Sequence, residues 1–164
     1  MRISQVTYDK MNGLASKCFD ANAAFDNLAY NLEYNYYPNI AKAVHLKVAH
    51  VMPEWADVVT DEMLLLGARP TRLPIGSYTS EYTVPAEAFA AAKDILYGLR
   101  EETRSLIAVA DMSDDDEARI FAEEFLARIS PYIKQAEEWS SVAERMDPHS
   151  LDVHIGEYTN FIGG

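Results

Sequence analysis

Leu14, Cys18, Ala21, Phe25, Leu28 and Leu32 recur at alternating steps of four and three. That spacing sets them on one stripe of a 3.6-residue helix, predicted from about Met11 to Tyr36. Three more stripes follow. Val44, Val48, Val51, Trp55, Val59 and Leu66 mark a second helix from about Ile40 to Leu66. Pro53 lies inside it, so the helix either kinks there or begins later. Gly67 is its expected stop, as a left-handed residue just past the end. A third helix starts near Pro85 and carries Phe89, Ala92, Leu96, Leu99 and Leu106. A fourth opens at "SDDDEAR", with Ser113 as N-cap and Asp114, Asp115, Asp116 and Glu117 near the positive helix end. Its stripe is Phe121, Phe125, Ile129, Tyr132, Ala136 and Trp139, with a kink or a break at Ser130-Pro131.

The segment "ARPTRLPIGSYTSEYTVP", residues 68 to 85, has no period and separates helices two and three. A connection of that length can run the height of a bundle and join two parallel helices. The fold class expected is therefore all-α: a four-helix bundle with a long crossover between helices 2 and 3. No linker divides the 164 residues, so one domain is expected, with the bundle at about 11–146 and a C-terminal tail at 147–164.

Charge and cysteine content narrow the function classes. The formal net charge is −12, and a strongly acidic surface repels phosphate backbones. This argues against unassisted nucleic-acid binding. The single cysteine, Cys18, can form neither an internal disulfide nor a Cys-based zinc site. "MRISQVTYDK" holds no apolar signal core, and no run is long enough to span a membrane. A reducing, cytoplasmic setting is the expectation.

One stretch carries candidate chemistry. In "HVMPEWADVVTDEMLLLGARP", His50, Glu54, Asp57 and Asp61 fall at steps of four, three and four. They share one helix face, roughly opposite the stripe through Trp55 and Val59. Groups placed there point away from their own subunit's core. A di-iron centre inside a bundle draws on Glu-x-x-His pairs, and no Glu in this chain has His three residues later. An outward metal site would need further ligands, most simply from a second subunit. Hard oxygen donors with imidazole suit iron, manganese or zinc. The plainer alternative is the solvated side of an amphipathic helix. Elsewhere, Tyr30, Tyr34, Tyr36 and Tyr37 cluster at the end of the first helix, as packing groups or electron donors. In the tail, His149, Asp152, His154 and Glu157 offer a second, less ordered ligand set.

The run "DVVTDEMLLLGARP" resembles the second-helix motif of the Dps (DNA-protection-during-starvation) proteins of the ferritin superfamily. Asp57 and Asp61 match that family's two carboxylates, and Gly67 and Pro70 match its helix end. The helix order is also similar over roughly residues 14 to 145. The resemblance implies a ferritin-like bundle assembled into a hollow homo-oligomer, commonly of twelve subunits. It also implies that ferrous iron is oxidised and stored, with an iron site between two subunits. Asp57 and Asp61 would then bind iron, with His50 or a partner-chain group completing the shell. Several departures accompany it. Asp61 stands where the family usually has Glu, which moves the carboxylate back by one methylene. The family's His near the end of helix 1 has no counterpart in "YNLEYNYYPN". His50 and Glu54 also precede Asp57 by less than two turns, where the family's His and acid precede it by more. His45 lies about 120° around a regular helix from Asp57. A ferritin-like bundle without ferroxidase activity, serving in assembly or binding, is the alternative.

Overall fold

The computed structural model describes residues 1–158. It contains α1 (Gln5–Tyr34), α2 (Pro38–Val44), a π-helical turn (His45–Ala49), α3 (Val51–Leu65), α4 (Pro85–Met112), α5 (Asp116–Ala143), α6 (Pro148–His154) and a closing 3-10 turn (Ile155–Tyr158). The unit formed by α2, the π turn and α3 is the predicted second helix. With α1, α4 and α5 it makes a four-helix bundle.

Paired contacts fix the directions. Arg2 N–H donates to the Leu66 carbonyl at 2.8 Å, so α1 begins where α3 ends. Arg119 on α5 faces Asp111 on α4 across their shared turn. Ser4, before α1, is bonded to Asp115, just past the end of α4, and Asn31 and Asn35, near the end of α1, are bonded to Tyr82, just before α4, so α1 and α4 also run in opposite directions. Since α1 opposes both α3 and α4, those two helices are parallel, as the crossover requires.

The stripes form the core. Leu14, Cys18, Phe25, Leu28, Val48, Val59, Leu96, Leu106 and Ile129 are each almost fully buried. Burial pushes the Cys18 thiol up to about 12, which leaves it an inert small hydrophobe. Trp55 packs edge-on against Tyr132 and Phe125 of α5, with ring centroids 4.8 and 5.9 Å away. Large rings therefore close the side of the bundle between α3 and α5.

Helix ends follow local chemistry. Gly67 adopts φ 74°, Gly67 N–H donates to the Leu64 carbonyl, and Ala68 N–H donates to Met63. This pair of bonds satisfies the last carbonyls of α3 and turns the chain into the crossover. Pro85 opens α4 as expected.

One expectation is corrected, and two that were open are narrowed. Ser113 does not cap α5; it ends α4, and Asp115 is the residue before α5. The Asp115 carboxylate is taken by Ser4 and Thr7, the first turn of α1. Second, α5 runs unbroken through Pro131. Third, the chain after Asp147 continues as α6, which docks on the bundle. The Asp152 carboxylate accepts from Ile40 N–H at 2.8 Å and Asn39 Nδ2 at 3.1 Å. It caps α2, whose preceding residue, Tyr37, provides no side-chain cap. Tail residues 159–164 lie outside the described residues.

The crossover has no secondary structure of its own among residues 68–82 and is fastened to α1 by side chains. Asn12 exchanges two bonds with Thr71, and Asp20 accepts from Gly76 N–H. Asn31 accepts from Tyr82 N–H and donates to the Ser80 carbonyl, while Asn35 donates to the Tyr82 carbonyl. Arg72 lies 3.7 Å over the Phe19 ring.

Candidate metal-binding face

The site begins with a proline. Pro53 has no N–H, so the carbonyl four residues back, on Ala49, loses its helical partner, and the proline ring crowds that carbonyl. The chain answers in two ways. His45–Ala49 widens into a π turn, with His50 N–H donating to the His45 carbonyl at 3.1 Å. Asn22 Nδ2 of α1 then donates to the freed Ala49 carbonyl at 2.8 Å. Pro53 thus sits in the first turn of α3. The interruption expected from it appears just upstream.

His50, Glu54, Asp57 and Asp61 are all exposed, along the side of α3 away from buried Trp55 and Val59. The row has the outward orientation that its spacing implied. Its carboxylates meet no salt-bridge partner among the described residues. Glu54 borders α5: burial pushes the Tyr132 phenol up and the Glu54 charge adds to that, against a smaller opposite effect of Arg128. One step further, Glu62 is pushed up by burial and then by Glu117 and Glu124 of α5.

Among the described residues, no three His, Cys, Asp or Glu side chains converge closely enough to hold an ion. His50 instead meets His45 across the π turn, with ring centroids 4.3 Å apart. His45 Nδ1 faces Asp26 Oδ1 of α1 at 3.3 Å. Sequence spacing missed this grouping, because regular helical geometry sets His45 and His50 about 140° apart. Only the π turn brings them together, and Pro53 was its one sequence signal.

Among the described residues, the bundle interior offers no second site of this kind. Asp152 is the one buried carboxylate among the described residues, and it is occupied as a cap. The tail ligand set is dispersed in the same way: His149 stacks on Tyr37, and His154 pairs with Glu157 at 3.2 Å. Of the four tyrosines at the end of the first helix, Tyr37 is buried, whereas Tyr30, Tyr34 and Tyr36 are exposed rather than packed. Among the described residues, no helix is long and apolar enough to cross a membrane.

Comparisons with known proteins place the fold. No protein-family model matches the chain, and no curated protein matches it by sequence. Two crystal structures of an open pore ferritin from the hyperthermophilic archaeon Archaeoglobus fulgidus superpose with TM-scores of 0.89 and 0.88. Each is 14% identical, the matches covering 97% and 96% of this chain and 98% of the other. The likeness spans nearly the whole chain at low identity, so the fold of this protein is that of a ferritin-like helical bundle.

Proposed function

We propose that this protein is a ferritin-like homo-oligomer whose cargo is iron, taken up on the outward face of α3. The observation that carries the reading is the row of His50, Glu54, Asp57 and Asp61. Four ligand-type side chains stand exposed on one helix of a fold shared with a ferritin. A row of this kind binds an ion weakly by itself. Apposition of a second protomer would supply the missing ligands and exclude water, which strengthens each carboxylate–cation attraction. The similarity to Dps proteins supports this shared arrangement and a shell of twelve. A cytoplasmic setting belongs to the same reading.

In this reading Asp57 and Asp61 hold ferrous iron, and His50 and Glu54 flank it. Carboxylates favour the ferric product because it carries the higher charge. Two ferrous ions give one electron each to a peroxide molecule. With two protons, the peroxide O–O bond breaks to give two waters. The net charge of −12 concentrates cations at the surface and leaves nucleic acid a poor partner.

The second reading is a ferritin-like bundle without ferroxidase activity, acting in assembly or binding. It is favoured by the absence, among the described residues, of three converging ligands. Native mass and iron oxidation separate the two. Ferrous iron is added anaerobically to the oligomer, then peroxide, and the parent is compared with Asp57→Ala/Asp61→Ala. The iron reading expects an oligomer and at least a tenfold slower oxidation in the variant. A monomeric parent, or equal rates in both proteins, rejects it.

A further inference from the structure

The π turn creates a second grouping that the carboxylate row does not contain. His45 and His50 sit at its two ends, with the i→i+5 bond between their backbones. Their rings meet edge to face at a centroid separation of 4.3 Å. His50 is exposed and the His45 side chain is 40% exposed, so both imidazoles are accessible. Behind His45 stands Asp26 of α1, at 25% exposure. Its Oδ1 is buried and makes no hydrogen bond of good geometry, yet it faces His45 Nδ1 at 3.3 Å.

Carboxylate, then imidazole, then open space is the arrangement by which proteins prepare a histidine to hold a metal. The carboxylate accepts a hydrogen bond from one ring N–H, and the other nitrogen keeps its lone pair for the ion. Asp26 Oδ1 stands 3.3 Å from His45 Nδ1, close enough to take this role once the ring turns to align an Nδ1–H with it, which would leave Nε2 for an ion. We propose that His45 and His50 together bind one divalent ion of the zinc, copper or nickel class, with Asp26 as the positioning residue.

Distances allow it. Two imidazole nitrogens at about 2.0–2.1 Å from a tetrahedral ion stand about 3.3 Å apart, which the rings reach by opening about an ångström. The remaining coordination positions go to water. A cleft of about 320 Å³, lined by Tyr30, Glu33, Lys42, His45 and Leu46, opens beside His45 and gives solvent access to its ring. Nitrogen donors narrow the metal class: two imidazoles suit zinc, copper and nickel, and iron as well, and exclude magnesium and calcium, which prefer oxygen donors alone. The Asp26 carboxylate also offsets part of the ion's charge. A π turn inserted into an α-helix at this point is a recurring mark of functional sites. The inference does not rest on the iron reading, though both use His50.

Zinc chloride alone is titrated by calorimetry into a His149→Gln/His154→Gln background, which leaves His45 and His50 as the only histidines. One equivalent per chain that depends on both histidines is expected, weakened at least tenfold by His45→Gln and by His50→Gln and retained in Asp57→Ala/Asp61→Ala, whatever further zinc the carboxylate row takes. Both His positions are on the surface, and helical circular dichroism confirms that each variant is folded. Asp26→Asn is read by the nitrogen shifts of the His45 ring. The parent should hold the Nδ1-protonated tautomer, the variant a mixture, with zinc bound about tenfold more weakly. Unchanged binding in either histidine variant overturns the proposal. So does loss of binding in the Asp57/Asp61 variant, which would put the ion on the carboxylate row.

Discussion

Asn22 Nδ2 donates to the carbonyl of Ala49, 2.8 Å away on the neighbouring helix unit. That carbonyl is the one Pro53 leaves without a donor. The amide is therefore a substitute for a missing backbone N–H. It ties the start of α3 to α1 just beside the π turn that carries His45 and His50.

Replacing Asn22 with Leu leaves the Ala49 carbonyl without this donor, and should cost about 1–3 kcal/mol in urea unfolding. Pro53→Ala restores a donor in the chain itself. In the Asn22→Leu background it should recover most of the loss, and the two changes should couple by about 1 kcal/mol in a double-mutant cycle. Additive effects would show that Asn22 and Pro53 are not linked through Ala49. If the π turn exists because of Pro53, the His45–His50 contact should also loosen in Pro53→Ala, seen as lost ring-to-ring nuclear Overhauser effects.

Asp115 predicts an acid-sensitive seam. Burial alone would push its carboxyl up, but hydrogen bonds from Thr7 Oγ1, Ser4 Oγ and Ser4 N–H outweigh that and hold it below the usual carboxylate value. A carboxyl lowered in the folded state contributes stability above its unfolded pKa, near 3.8. That contribution is lost as pH falls through the lower folded value. Asp115→Asn should therefore be less stable than the parent above about pH 5, with the gap shrinking below about pH 4. Urea midpoints taken from pH 2.5 to 7 test this, and a gap that widens on acidification would contradict it.

The four stripes were legible because burial imposes a 3.6-residue period that any apolar side chain can report. Gly67 and Pro85 were legible because few residues tolerate a left-handed end or favour a first turn. The outward aim of Asp57 and Asp61 followed from the same period. What stayed hidden depends on partners distant in the chain. Nothing near Pro53 reveals that Asn22 will satisfy Ala49. Asp115 reads as part of an acidic first turn until Ser4 and Thr7 claim it. Asp152 read as a tail metal ligand, whereas its two oxygens are used by Asn39 and Ile40. Nothing in the spacing of Asn12, Asn27, Asn31 and Asn35 along α1 reveals that they grip the crossover.

Asp152 gives a prediction of its own. It reaches α2 from across the fold and satisfies the Ile40 N–H that Tyr37 leaves uncapped. Asp152→Ala should cost about 1–2 kcal/mol, the range for loss of a helix cap. Hydrogen exchange should localise the effect. The Ile40 amide should lose protection first, and His149 should lose its stacking on Tyr37 as α6 loosens. Global unfolding with no local change at Ile40 would show that Asp152 does not act as the cap.

Asn31 tests how the crossover is held. Its Oδ1 accepts from Tyr82 N–H at 2.9 Å, and its Nδ2 reaches the carbonyls of Asn27 at 2.8 Å and Ser80 at 3.1 Å. One side chain thus bridges α1 to the last part of the crossover before α4. Asn31→Ala removes these bonds without emptying the core, because Asn31 is only half-buried. The crossover should open locally while the bundle stays folded. A local cost of about 1.4 kcal/mol would raise proteolysis between residues 73 and 83 about tenfold, with the thermal midpoint of the bundle nearly unchanged. Cleavage at the parental rate would mean that the crossover is held by Asn12, Asp20 and the Arg72–Phe19 contact instead. In that case Asn12→Ala, which unties the Thr71 end, should be the variant that opens it.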